Sequence, residues 1–225
     1  MDRLRSPGGC PWDAEQTHAS LLPYLIEETY ELCQALEDGD RVAIGEELGD
    51  VLLQVLFHAR VAAEAAVDAF DVDVVAAALV AKLMARHPHV FRPQGIDTAE
   101  RVATAADQEL RWEELKRTEK RRASCVDGVA LAQPAAALAA KLVSRTAKAG
   151  LPADLLPGGG SGGGALFAVV AAVKHAGEDP EAELRAAARR FADDLRAAER
   201  AARGAGLDPA ELTPEQWRAH WPSAP

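Results

Sequence analysis

The chain has 225 residues, 35 acidic against 25 basic side chains, and a formal net charge of −10. That balance argues against a nucleic-acid backbone as partner, because such binding needs clustered Lys and Arg, but leaves room for a small phosphorylated ligand carried by a metal ion. Alanine, leucine, glutamate and arginine dominate, aromatics make up 5%, and no stretch alternates with period two, so the expected class is all-α.

Residues Met1 to Trp12 contain Pro7, Gly8, Gly9 and Pro11 and read as an irregular lead-in. A first helix is expected from about Thr17 to Glu37, with Pro23 tolerated in its opening turn. Asp38, Gly39 and Asp40 make a tight turn. A second helix follows from about Arg41 to Ala66, N-capped by Asp40. So short a connection makes the two helices antiparallel neighbours. A third helix covers about Asp73 to Arg86 and stops at His87-Pro88-His89, since proline disfavours helix in the residue before it. Val90 to Gly95 is expected to be a loop. A fourth helix, capped by Asp97 and Glu100, runs to about Arg122.

Past Cys125 an alanine-rich helix spans about Gln133 to Ala149 and closes at Gly150. The run Pro157-Gly-Gly-Gly-Ser-Gly-Gly-Gly164 reads as a flexible segment. Helices are expected over about Ala165–His175 and Pro180–Arg203. A last short one has Thr213 as N-cap, Pro214 at its first position and Gln216 at its third. No apolar run reaches about 18 residues and the N-terminus lacks a signal pattern, so a cytoplasmic protein with no membrane partner is expected. Cys10, Cys33 and Cys125 form no C-x-x-C pair and are read as reduced thiols.

The chemistry concentrates in the first two helices, at Glu27-Glu28-x-x-Glu31 and Glu46-Glu47-x-x-Asp50. The i, i+3 spacing sets Glu28 beside Glu31 and Glu47 beside Asp50. At 100° per residue, Leu22, Leu25, Thr29, Leu32 and Leu36 mark one buried arc, and Ile44, Leu48, Val51 and Val55 the other. Glu28 and Glu47 border these arcs, with Glu31 and Asp50 next to them, while Glu27 and Glu46 lie further out. At about 5 Å and an effective dielectric near 20, each like-charge pair costs roughly 3 kcal/mol, which protons or metal ions must relieve. An all-oxygen donor set favours Mg²⁺, with Mn²⁺ as a substitute, over zinc or copper. Magnesium commonly binds alongside substrate phosphates, which suggests a nucleotide or pyrophosphate ligand.

Several segments together resemble the MazG family of nucleoside triphosphate pyrophosphohydrolases. They are Gly9-Cys10-Pro11-Trp12-Asp13, Gln16-Thr17-His18, Tyr24-Leu25, Glu27-Glu28-Thr29-Tyr30-Glu31, Gly45-Glu46-Glu47-Leu48-Gly49-Asp50, Lys82-Leu83, Arg86-His87-Pro88-His89-Val90-Phe91, and Trp112-Glu113 with Lys116. The resemblance implies an all-α, MazG-like helical bundle of antiparallel hairpins, probable homodimerisation, and conversion of NTP or dNTP to NMP or dNMP plus pyrophosphate in nucleotide-pool house-cleaning. It implies Glu28, Glu31, Glu47 and Asp50 as ligands of Mg²⁺. Lys82 and Arg86 would contact phosphates, Trp112 the base and Lys116 phosphate, and Trp12 and Asp13 would stand at the entrance. The group that activates water is sought in the quartet or at Glu27 or Glu46, with no choice between them. His58 lies eleven residues from Glu47, about 16 Å along the helix, too far to join that metal.

The domain reading is a catalytic part over residues 1–122 and a helical C-terminal region over 123–225, with the glycine-rich segment at 157–164. Gly49–Arg60 aligns without gaps to Gly163–Lys174, setting Ser161 opposite Glu47 and Gly164 opposite Asp50, so the second region reads either as a degenerate copy without the acids or as a helix alike only in its short apolar pattern. Two other classes compete. A non-catalytic helical module would bind nucleotides or a partner without turnover. A di-iron carboxylate bundle would need Glu-x-x-His motifs, which neither acidic helix has.

Overall fold

Gly39 stands at the centre of the fold's main hairpin. It adopts φ 68°, a left-handed conformation that a residue without Cβ takes at little cost, and ends α3 (His18–Asp38). One residue later the Asp40 carboxylate accepts from the backbone N–H of Val42 (2.9 Å) and Ala43 (3.2 Å) and starts α4 (Arg41–Ala63). Stop and start signals adjoin, so α3 and α4 pack antiparallel along their length. This computed structural model describes residues 1–91, 104, 105, 107, 108 and 123–222. The chain divides into two compact units, Met1–Lys116 and Arg117–Pro225, and no strand occurs among the described residues.

The seam of the hairpin is rotated from the arcs expected above. One stripe of buried or half-buried positions runs along α3 through Leu21, Leu25, Glu28, Leu32 and Ala35, and another along α4 through Ile44, Glu47, Val51, Gln54, His58 and Val61, with Phe57, Ala59 and Ala62 also buried toward the end of α4. Both follow the alternating three-and-four spacing of helices packed at a shallow angle. Leu22, Leu36, Leu48 and Val55, expected inside, are exposed, as is Thr29. The reason is that both helices are apolar on more than one side, as at Leu21-Leu22 and Leu52-Leu53, and periodicity alone cannot choose the stripe that packs. Small Ala35 permits close approach at one end of the seam, and Phe57 (3% exposed) fills the other.

The lead-in is ordered, contrary to expectation. It forms α1 (Asp2–Arg5) and α2 (Pro11–Glu15), which pack together. The Cys10 N–H donates to the Leu4 carbonyl (2.8 Å), and a Cβ at Gly9 would run into the carbonyl oxygens of Leu4 and Arg3. Pro11 takes the first position of α2, where a missing N–H costs nothing. In α3 a capping box joins Thr17 and Ser20. Pro23 therefore falls at the sixth helical position rather than in the opening turn, and its exposed side leaves one carbonyl to solvent.

After α4, Asp71 caps α5 (Val72–Arg86) through the Val74 N–H (3.0 Å). His87 ends that helix, but Pro88–Phe91 forms a further turn, α6, where a loop was expected. The expected fourth helix lies almost wholly outside the described residues. Within it, Thr104 and Asp107 exchange capping hydrogen bonds of 3.1 Å each.

In the second unit α7 (Ala135–Lys148), α8 (Gly162–His175) and α9 (Pro180–Gly204) pack on one another, and α10 (Pro214–His220) lies against α9. Ala139, Ala140, Val143, Ala171, Ala198 and Ala202 make the buried core, so small side chains set close helix contacts. The glycine-rich run is half helix rather than all flexible: Ser161 caps α8 by accepting from Gly164 N–H (3.1 Å), and Gly162 to Gly164 are helical. The Thr213–Gln216 capping box of α10 is present with both bonds.

Candidate metal centre

Glu28 on α3 and Glu47 and Asp50 on α4 each present a carboxylate oxygen, and these three oxygens lie within 4.8 Å of one another. Glu28 and Glu47 occupy seam positions, half-buried, so the two helices press them together. Partial burial, with the charges of Asp50, Glu31, Glu27 and Glu47, raises the Glu28 pKa. Glu47 is raised by burial, then by Glu31, Asp50 and Glu46. Its Oε2 is out of solvent contact and has no hydrogen-bond partner. Three converging carboxylates, one of them with an unpartnered oxygen, are a donor set suited to a hard divalent cation.

Glu31 is not in the convergent group, although its charge acts on both Glu28 and Glu47. Glu27, Glu46 and Glu31 are exposed around the cluster. Lys82 is exposed and Arg86 half-buried on α5, and the Gln108 amide donates to the Arg86 carbonyl (3.0 Å). Trp112 and Lys116 lie outside the described residues. Trp12 is half exposed. Its ring meets Tyr24 edge-on at 5.9 Å and Phe57 at 6.4 Å, and Tyr24 sits one turn before Glu28.

Residues that spacing did not reveal gather at the open end of the hairpin. Arg5 pairs through Nε and Nη2 with both oxygens of Glu64 (2.9 and 2.6 Å), which raises the arginine pKa and lowers that of the glutamate. Arg60 reaches Asp2 (3.1 Å) and the same Glu64 (3.0 Å). His18 and His58 stack with rings nearly parallel and their Nδ1 atoms 2.8 Å apart. Such a contact needs one ring to donate and the other to accept, and burial and the His18 charge lower the His58 pKa accordingly. His58 is thus occupied with His18, away from the acids.

An antiparallel helical hairpin with convergent carboxylates defines an all-α protein with a cluster of oxygen donors that could hold a divalent cation. Residues 16–91 match the model of the MazG nucleotide pyrophosphohydrolase domain. The chain is 50% identical over 200 residues to an uncharacterized 26.1 kDa protein of Streptomyces cacaoi, covering 88% of this chain and 79% of that one. It is 44% identical to a nucleoside triphosphate pyrophosphohydrolase of Mycolicibacterium smegmatis, over all of this chain and 68% of that protein. A nucleoside triphosphate pyrophosphohydrolase/pyrophosphatase of Thermotoga maritima is 33% identical over all of this chain and 92% of its own. The chain belongs to the MazG nucleotide pyrophosphohydrolase family. No helix among the described residues is long and apolar enough to cross a membrane.

Proposed function

We propose that the protein is a Mg²⁺-dependent nucleoside triphosphate pyrophosphohydrolase whose site is the Glu28–Glu47–Asp50 cluster, completed by Glu31. The observation that carries this is the convergence of carboxylate oxygens from Glu28, Glu47 and Asp50 within 4.8 Å, in a hairpin where Glu47 also has a carboxylate oxygen without a hydrogen-bond partner. A divalent cation bound there would neutralise the cluster and supply positive charge for the phosphate oxygens and the departing pyrophosphate. The protein's own groups account for the rest. Glu27 or Glu46, exposed beside the cluster, or a member of the cluster itself, would take the proton of a water attacking the α-phosphorus. Lys82 and Arg86 offer cations to the phosphates, with Lys116 as a third from sequence. Trp12 offers an open aromatic surface for the base, and Trp112 is assigned the same kind of contact. Removal of unwanted nucleotides from the pool is the role this chemistry serves.

The family relationship and the match over all of this chain to named nucleoside triphosphate pyrophosphohydrolases support the same reading. The second unit is read as a degenerate copy of the first hairpin: Ser161, the cap of α8, and Gly164 within it stand where α4 carries Glu47 and Asp50, so one set of acids would serve each chain. A panel of standard and modified NTPs and dNTPs, assayed for pyrophosphate with Mg²⁺, tests the activity and its base selectivity together. Glu47→Ala and Asp50→Ala should abolish release while the helical circular dichroism persists. Release that survives both substitutions refutes the site, and tight nucleotide binding without turnover would favour a non-catalytic module.

A further inference from the structure

Arg5 ties the Trp12 segment to the end of α4. α2 has only five residues, too few to be stable alone, so what places Trp12 must lie outside the helix. Arg5 supplies it. Its side chain is 4% exposed, and its guanidinium lies over the Phe57 ring at 5.5 Å. Nε and Nη2 grip Glu64 at the end of α4. Nη1 donates to the carbonyl oxygens of Asp13 and of Gln16 (3.1 Å), at the C-terminal end of α2. The Gln16 amide returns to the Trp12 carbonyl (2.9 Å). Every one of these bonds terminates on the turn that carries Trp12 or on the helix against which its indole rests. Charged donors at the last carbonyls of a helix also suit its dipole. The indole is thereby held edge-on to Tyr24 and Phe57 with about half of its surface open. Tyr24 is one helical turn, about 6 Å, from Glu28.

We propose that Arg5, anchored by Glu64, is a positioning residue for nucleotide binding, which holds Trp12 as the surface on which the base stacks. Lysine cannot replace it, because a single ammonium cannot reach two carboxylate oxygens and two carbonyls in the fixed fork that a guanidinium provides. The inference rests on the pyrophosphohydrolase reading, and it assigns the first helical turns of the chain to base recognition rather than to phosphate chemistry.

The test is a double-mutant cycle on the full chain with Mg²⁺, read by pyrophosphate release. Loss of one base-stacking contact is worth about a tenfold change in affinity. Arg5→Ala and Trp12→Ala should each raise KM about tenfold with kcat changed little, and the double variant should show no higher KM than Trp12→Ala alone. Multiplying effects, or a fall in kcat at unchanged KM, would overturn the proposal and leave Arg5 a support of the fold. Arg5→Lys and Glu64→Gln, gentler changes checked by thermal melting, should show the same KM shift in smaller measure; a folded Arg5→Lys with wild-type KM also overturns it. A second readout needs no turnover: quenching of tryptophan fluorescence on titration with an NTP, Ca²⁺ replacing Mg²⁺. Trp12→Phe should remove the share of the quenching that Trp12 contributes, leaving that of Trp112, and in Arg5→Lys the titration should move to higher nucleotide by less than about tenfold. Absence of pyrophosphate release with that quenching pattern intact would count against the catalytic reading alone. Normal release with quenching unaffected by Arg5→Lys would count against this inference alone.

Discussion

Glu47 sits where burial and neighbouring carboxylates disfavour its charge. Its folded pKa is raised above the ordinary 4.5 by burial and by Glu31, Asp50 and Glu46. A raised carboxyl contributes its full stability below the unfolded pKa and loses it as pH rises through the folded one, so at neutral pH the cluster works against the fold. Glu47→Gln should therefore melt higher than wild type at pH 8 with EDTA, and this gap should close near pH 4. The same substitution should cut pyrophosphate release by more than about a hundredfold, exceeding the effect of losing an outer partner of a metal ligand. Mg²⁺ should raise the wild-type melting temperature and raise the variant's less. A variant that melts lower than wild type at pH 8 without metal would show that the carboxylate is not under repulsion. Glu28, Glu47 and Asp50 could be picked out beforehand because i, i+3 spacing is a property of one helix. Arg5 and the His18–His58 pair could not, since their partners lie 59 and 40 residues away and pairing across that distance leaves no local pattern.

At the scale of elements, the legible parts were those with local chemical causes. Thr17, Asp40 and Thr213 accept from backbone N–H groups two or three residues ahead, and each opens a helix as its side chain predicts. What remained hidden was which stripe of a many-sided apolar helix meets its neighbour, and hence that Glu28 lies in the seam rather than at its edge. The glycine run was misread for a related reason: composition gave it no side chains to pack, yet Ser161 supplied a cap. This leaves two adjacent glycines with opposite demands. At Gly163 a Cβ would meet nothing within 4 Å, whereas at Gly164 it would lie 2.6 Å from the Gly159 carbonyl oxygen. Gly163→Ala should stabilise the chain by about 0.5–1 kcal/mol through helix propensity. Gly164→Ala should destabilise it by about 1 kcal/mol or more, because a backbone oxygen must move. Urea unfolding of the two variants, followed by circular dichroism, separates them; equal effects would mean that the capped turn is not formed.

For the molecule as a whole, the described residues of the first unit bury few large apolar side chains. Its fully buried side chains among the described residues are Leu21, Ala35, Gln54, Phe57, Ala59 and Ala62, only two of them large and apolar. Meanwhile α5 has no buried residue, with Val72, Val74, Val75, Leu79, Val80, Leu83 and Met84 all exposed, and the outer stripes of α3 and α4 add Leu22, Ile26, Leu48, Leu52 and Leu53. A monomer rarely leaves so much contiguous apolar helix in water. A second copy of the same chain is the occupant we propose, since a two-fold pairing lets one self-complementary face cover both partners, and a stable dimer of standard size buries about 1,200–2,000 Å². Sedimentation of the wild type should then give about twice the 23.9 kDa of one chain. Leu79→Glu places a charge in the middle of the α5 face and should shift the protein toward monomer at micromolar concentration, with a lower melting temperature that depends on protein concentration. A wild-type chain sedimenting as a 23.9 kDa monomer across that range would rule the pairing out, and would require the exposed stripes of α3, α4 and α5 to be explained by a different partner.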